Sequence, residues 1–154
     1  MRVDGRDAAA VADAAKRLAA GELVAFPTET VYGLGARADD DAAVAKIFAL
    51  KGRPTGHPLI VHVADRLEAA RFGVISPLAE RLADAFWPGP VTVIVRRVPG
   101  AAEAAAAGQG TIGLRCPAHL VAHALLTAAR RSSASSRRSS TARATGRRCF
   151  ARGR

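Results

Sequence analysis

The stretch ALKGRPTGHPLIVHV, residues 49–63, changes from a helical pattern to a β pattern within a few residues. Apolar residues recur at helical spacing up to this point, and Gly52 and Pro54 are typical of a helix end. The run PLIVHV (58–63) is short, apolar and bounded by proline, which predicts a strand. This segment therefore predicts a helix followed directly by a strand, the unit from which α/β sheets are built.

The same alternation extends outward from this segment through residue 129. Helices are predicted at 7–20, from an aspartate at 39, 40 or 41 to residue 51, at 65–71, at 76–87 and at 117–129. Strands are predicted at 22–27, 58–63, 91–97 and 111–116. Residues 28–39 are predicted to be a polar connection, and residues 101–108 fit either a helix or a loop. The expected fold is an α/β sheet with flanking helices.

The chain divides into two parts of very different charge. Residues 1–129 contain 14 Lys and Arg against 13 Asp and Glu, whereas residues 130–154 contain nine arginines and no acid. Net charge predicts the partners of a domain only if that domain carries it, and here the last 25 residues carry nearly all of the net +10. The basic composition therefore does not by itself make the folded part a nucleic-acid binder.

The last segment, RRSSASSRRSSTARATGRRCFARGR from Arg130 onward, has no hydrophobic periodicity and one large apolar residue, Phe150. Such a composition buries too little surface to offset chain entropy, so residues 130–154 are predicted to be disordered. Two interpretations stay open: an RNA-binding Arg/Ser arm, or the product of a gene read out of frame after residue 129.

Several classes of protein are not supported by the sequence. No run approaches the roughly 18 apolar residues of a membrane span, and the N-terminus carries acids rather than an apolar signal region. Cys116 and Cys149 have neither metal-ligand nor disulfide-framework spacing, which predicts a reducing cytoplasm. No metal site is expected, and nothing indicates covalent catalysis.

Polar residues cluster where predicted strands end. The segment FPTETVYGLGA follows a strand, which is where α/β folds form ligand crevices, although an ordinary turn with Tyr32 in the core fits equally well. Lys51 and Arg53 fit either solvated charges at a helix end or ligands for a phosphate chain. Arg115 ends a strand, where it is either a rim charge or a carboxylate clamp.

The order of four motifs is more specific than any one of them. FPTETVYGLG, KGRP with HPLIVHV, FWPGPVTVIV and GTIGLRCPAH follow one another between about residues 8 and 129. In this order they resemble the YrdC/Sua5 family of L-threonylcarbamoyladenylate synthases. The resemblance implies a YrdC-like twisted mixed sheet with flanking helices, a basic concave face and a cytoplasmic enzyme. The reaction would form threonylcarbamoyl-AMP and pyrophosphate from L-threonine, bicarbonate and Mg²⁺-bound ATP, for the t⁶A modification of tRNA.

The resemblance also implies roles for individual residues, position by position. The positions that match L-threonine ligands are Thr30, His62 and Arg115. The positions that match ATP ligands are Lys51, Arg53, His57 and Thr111, of which Lys51 and Arg53 would also stabilise charge during catalysis. His57 departs from the asparagine that is common at its position.

The resemblance ends where the family continues with a strand and an S-x-N motif, most often PSAN. This chain has RRSSASSRRSS there, and no asparagine follows. We therefore expect a YrdC-like domain at residues 1–129 that is incomplete at its C-terminus, followed by a tail at 130–154. Two alternatives to the synthase stay open: a double-stranded RNA-binding module of the same fold, and an inactive truncated remnant.

Overall fold

The computed structural model describes residues 3–29, 31–52, 54 and 56–144, with side chains up to residue 132. It contains, in chain order, α1 (Ala8–Ala19), β1 (Val24–Pro27), β2 (Tyr32–Gly35), α2 (Asp41–Lys51), β3 (Ile60–His62), α3 (Arg66–Ala69), β4 (Gly73–Val74), α4 (Pro77–Phe86), β5 (Val93–Arg97), β6 (Thr111–Arg115) and α5 (Leu120–Ala144). The predicted α/β class is confirmed. None of the described helices is long and apolar enough to span a membrane.

Four strands form the main sheet in the order β3-β6-β5-β4. Strand β3 runs parallel to β6, whereas β6 with β5 and β5 with β4 are antiparallel, so the sheet is mixed as predicted. Because side chains alternate along a strand, Val61, Val93, Val95, Ile112 and Leu114 all enter the buried core on one face. The other face carries His62, which is half-buried, and Thr111, which is exposed.

A second, smaller core joins the two ends of the described chain. Helices α1 and α5 and strand β1 contribute Ala15, Leu18, Phe26, Ala122 and Leu125 to it. Helix α5 thus packs against α1, and together they hold the β1–β2 hairpin beside the main sheet.

Strand β2 corrects the prediction that residues 28–39 are an irregular connection. It pairs with β1 in an antiparallel hairpin, and Gly35 faces Val24. Two of its four residues are glycines, which have low β propensity and hide the pattern of a strand. Gly35 is needed for packing, since an alanine Cβ there would lie 2.7 Å from Cε1 of Phe26. Strand β4 was also missed, because two residues are too few to show periodicity.

The helix ends follow the sequence closely. Asp40 caps α2 by accepting a hydrogen bond from the backbone N–H of Ala43 at 3.1 Å, and Ser76 caps α4 in the same way. Gly52 ends α2 in the left-handed conformation, with φ +58°. The candidate caps and the glycine stop are therefore confirmed.

The apolar stripe of α4 does not face the core. Leu78, Leu82 and Phe86 are all exposed, and the buried residues of this helix are Ala79 and Ala83. The small alanine side chains let the helix axis approach the sheet closely, and the larger residues are left on the outer side.

Residues 101–108 form a series of turns. The sequence alone fits either a helix or a loop in this segment. Ala102, Ala105 and Ala106 are nevertheless buried, and the backbone N–H of Leu59 donates to the Ala105 carbonyl at 2.7 Å. The small side chains allow this segment to cover the core beside β3.

Helix α5 differs from the prediction of a disordered tail from residue 130 onward, because it continues to Ala144. Once a helix is nucleated, each further alanine or arginine extends it at little cost. Arg130 also pairs with Asp65 at 2.8 Å, and the Ser132 hydroxyl donates to the Ala128 carbonyl. The domain boundary at residue 129 stays a prediction, and residues 145–154 lie outside the described residues.

We expect that Gly35→Ala destabilises the protein by about 1–3 kcal/mol, because the new methyl group would overlap the buried Phe26 ring. Urea denaturation followed by circular dichroism measures this free energy of unfolding. Gly110→Ala is the matched control, since a Cβ there meets no atom within 4 Å. The control should change stability by less than about 1 kcal/mol, and equal losses in the two variants would contradict the packing argument.

Candidate functional site

A cleft of about 430 Å³ lies between the β1–β2 hairpin, the end of α2, strand β3 and helix α5. Three of the residues predicted from the sequence line it, namely Lys51, His62 and Arg115. They come from the ends of three different elements, and the fold brings them into one cavity. A larger depression of about 580 Å³ lies near Arg37 and Glu103 and contains none of the predicted site residues.

The parallel pairing of β3 and β6 sets His62 directly beside Arg115 in register. The ring of Phe26 contacts the imidazole edge-on, with the ring centroids 6.0 Å apart. Desolvation lowers the pKa of His62, and the positive charge of Arg115 lowers it further, against the opposing effects of the Ile60 carbonyl and Glu29. His62 is therefore a neutral imidazole at physiological pH.

Arg115 is held firmly in the floor of the cleft, and its side chain is only 11% exposed. Its Nε donates to the carbonyl oxygen of Gly89 at 3.2 Å, and its Nη2 donates to Oε2 of Glu29 at 2.5 Å. Among the described residues, only Gly89 and Glu29 accept hydrogen bonds from Arg115. Three of the five N–H donors of its guanidinium therefore stay available. The interpretation of Arg115 as a solvated rim charge is wrong, because the side chain is buried.

Glu29 is a site residue for which the sequence gave no role. Its Oε1 accepts a hydrogen bond from the backbone N–H of Ala118 at 2.5 Å. Desolvation tends to raise its pKa, but backbone N–H groups of Glu29, Ala118 and His119, together with the charge of Arg115, lower the pKa overall. The only available signal was its place in PTET, directly after a strand.

Gly89, in the FWPGP segment, is the other contact of Arg115 that sequence reasoning missed. Its N–H donates to the Cys116 carbonyl at 2.8 Å, while its own carbonyl accepts from Arg115. Trp87 packs against the main core and donates from Nε1 to the Val91 carbonyl. The FWPGP segment thus connects α4 to β5 and also contacts the end of β6.

The charges of the cleft differ in their pairing. Lys51 is exposed at the end of α2, and no described residue forms an ion pair with it. Arg71 lies 3.9 Å from Asp39, and Arg130 pairs with Asp65, so both of these cations are partly neutralised. Burial raises the pKa of Glu68, which accepts a hydrogen bond from the Ala64 N–H. Lys51 is thus the described cation of the cleft best suited to receive an anion.

The other predicted residues do not line the described part of this cleft. His57 is exposed on the connection that follows α2, and Thr111 lies on the open face of the sheet, opposite Arg96. Thr30 and Arg53 lie outside the described residues. Tyr32 is 76% exposed, so the alternative that made it a core residue is wrong.

The described residues contain no group of three or more His, Cys, Asp or Glu that could hold a metal ion. Cys116 is buried and donates from Sγ to the Ala64 carbonyl, and burial raises the pKa of its thiol. A buried, protonated thiol is a poor nucleophile.

We expect the stability of the protein to fall as the pH drops below about 6.5, in part through His62. Its pKa is lower in the folded than in the unfolded state, so the unfolded state binds the proton first and acid favours unfolding. His62→Gln should therefore lose less stability than the parent between pH 7.5 and 5. The difference cannot exceed about 1.4 kcal/mol per pH unit.

Urea denaturation at several pH values measures this difference. The matched control is His57→Gln, which replaces an exposed histidine and should follow the parent. A parallel pH dependence of His62→Gln and the parent would contradict the assignment of a buried, neutral imidazole.

Comparison with known proteins supports the resemblance found in the four motifs. The chain is 47% identical over 108 residues to the threonylcarbamoyl-AMP synthase of Pyrococcus abyssi, covering 69% of this chain and 32% of that protein. It is also 47% identical over 119 residues to the threonylcarbamoyl-AMP synthase of Bacillus subtilis, covering 75% and 34%. The chain thus spans about a third of the length of these two relatives.

The fold is similar to solved structures as well. The structure of P. abyssi Sua5 complexed with L-threonine matches with a TM-score of 0.76 and 40% identity, over 84% of this chain and 38% of that chain. A family model named for Sua5, YciO and YrdC, with the description "Telomere recombination", matches residues 16–146. The chain therefore belongs to the Sua5/YciO/YrdC family.

Proposed function

We propose that the chain acts as an L-threonylcarbamoyladenylate synthase, which forms threonylcarbamoyl-AMP and pyrophosphate from L-threonine, bicarbonate and ATP. The observation that carries this proposal is the buried Arg115, which lines one cleft with His62 and Lys51 and keeps three N–H donors that no described residue accepts. The relatives named threonylcarbamoyl-AMP synthase support it.

The amino-acid end of the site is built around Arg115. A planar guanidinium offers parallel N–H donors that match the two oxygens of a carboxylate, so Arg115 would bind the carboxylate of L-threonine. Neutral His62, next to it in register, has a ring nitrogen that can accept a hydrogen bond from the amine or hydroxyl. Thr30, which lies outside the described residues, would add a hydroxyl.

The nucleotide end is assigned to Lys51, Arg53, His57 and Thr111. Lys51, without an ion-pair partner among the described residues, can attract a phosphate chain without first breaking a salt bridge. Mg²⁺ would enter bound to the phosphates of ATP as part of the substrate.

The reaction needs positioning and charge stabilisation rather than a protein nucleophile. The amine of L-threonine combines with bicarbonate to give a carbamate and water. A carbamate oxygen then attacks the α-phosphorus of ATP, the bond to the β-phosphate oxygen breaks, and pyrophosphate leaves. Lys51 and Arg53 would stabilise the negative charge that develops on the phosphates.

The product would serve the t⁶A modification of tRNA. The proposed partners of the chain are therefore tRNA and the t⁶A transferase machinery. We also propose that the chain acts in the cytoplasm. Binding of double-stranded RNA, the alternative open from the sequence, stays a prediction, and no contact in the described residues favours it over the synthase.

We expect pyrophosphate release by the full chain to require L-threonine, bicarbonate and ATP together. Lys51→Ala should lower this rate about 100-fold, since it removes a charge that stabilises the transition state. The matched control is Lys16→Ala, which removes a lysine from the last turn of α1 instead of α2. A Lys51→Ala rate close to that of the parent would contradict the assignment, and Arg53→Ala is predicted to behave like Lys51→Ala.

Arg115→Lys should raise the KM for L-threonine about ten-fold or more, because a lysine cannot make the paired hydrogen bonds of a guanidinium. Arg81→Lys, an exposed change on α4, is the control and should leave KM unchanged. If the folded parent released no pyrophosphate under any combination of substrates, the proposal would be overturned in favour of an inactive remnant.

A further inference from the structure

The guanidinium of Arg115 is held at two of its three nitrogens. Nε donates to the carbonyl of Gly89, and Nη2 donates to Glu29. A planar group hydrogen-bonded at two points cannot rotate freely, so its remaining donors keep one direction. The two acceptors therefore decide which N–H groups of Arg115 are available in the cleft.

The backbone contact from Gly89 is fixed by the turn that carries it. Its N–H donates to Cys116, the residue that follows Arg115, so the turn and the end of β6 move as one unit. Glu29 is different, because it is a side chain on the loop between β1 and β2. Its second oxygen accepts from the Ala118 N–H, which ties this loop to the turn after β6.

We propose that Glu29 is a positioning residue: through Arg115 it orients the donors that bind the substrate carboxylate, and so it sets the preference for an amino acid with a free carboxylate. The proposal rests on the proposed function for the identity of that amino acid. It gives a role to the glutamate of PTET, and Glu29 acts through Arg115 rather than on the reacting atoms.

A competing role for Glu29 makes the opposite prediction. If its carboxylate occupied the place of the substrate carboxylate, removing its charge would free Arg115 and tighten binding of L-threonine. A positioning role requires weaker binding instead, because the guanidinium loses its orientation. The sign of the change in affinity therefore distinguishes the two roles.

The test is a calorimetric titration of the full chain with L-threonine and with L-threoninol, which lacks the carboxylate. Glu29→Gln keeps the length of the side chain and an acceptor for Ala118, but it removes the charge. We expect it to weaken L-threonine binding about ten-fold and to leave L-threoninol binding unchanged. Glu22→Gln is the matched control, since Glu22 pairs with Arg17 outside the cleft, and it should bind both ligands as the parent does.

A measurement without ligand separates this proposal from the proposed function. In ¹⁵N NMR spectra, the Nη2–H protons of Arg115, assigned by their loss in Arg115→Lys, should exchange slowly with water in the parent and at least about ten-fold faster in Glu29→Gln, because Glu29 accepts from Nη2. If Arg115 exchanges slowly in the parent but the parent binds no L-threonine, the proposed function is refuted. The positioning of Arg115 by Glu29 is not refuted by that result.

Unchanged Nη2–H exchange together with unchanged or tighter binding of L-threonine in Glu29→Gln would overturn the positioning role. Where Glu29→Gln does not fold, Glu29→Asp provides the test, because it keeps the charge and shortens the side chain by one methylene. Its carboxylate cannot span both Arg115 and Ala118, so it should show the same faster exchange. Parent-like exchange in Glu29→Asp would also overturn the proposal.

Discussion

The parallel pairing of β3 with β6 is the constraint on which the rest of the structure depends. Val61 lies opposite Leu114 in the core, and the next pair along the strands is His62 with Arg115 on the open face. Because side chains alternate along a strand, a slip of one residue would exchange these faces. One register therefore fills the main core and sets His62 beside Arg115 in the cleft at the same time.

The second core holds the opposite wall of that cleft in place. Phe26 belongs to the packing of α1 and α5, yet its ring also contacts His62 on the main sheet. The loop that follows β1 then brings Glu29 to Arg115. The packing of the helical part and the geometry of the site are thus linked through a few side chains. A substitution that distorts the β1–β2 hairpin should therefore change the position of Arg115.

The electrostatics of the cleft are local, although the chain as a whole is strongly basic. Most of the net +10 comes from arginines at and after residue 130, and the first 129 residues are nearly neutral. Within the cleft, carboxylates pair with Arg71, Arg115 and Arg130. Attraction of an anion to this site therefore depends on which donors remain available, and bulk charge is a poor guide to it.

The sequence by itself determined the α/β class, an aspartate cap of α2 at 39, 40 or 41, the stop at Gly52 and the family, because these depend on local patterns and motif order. Only the tertiary structure decided the rest. Strand β2 was hidden by its glycines, and the α4 stripe faces outward because alanines make the closer contact with the sheet. The pairing of Glu29 with Arg115 joins residues 86 positions apart, and no local pattern can specify such a contact.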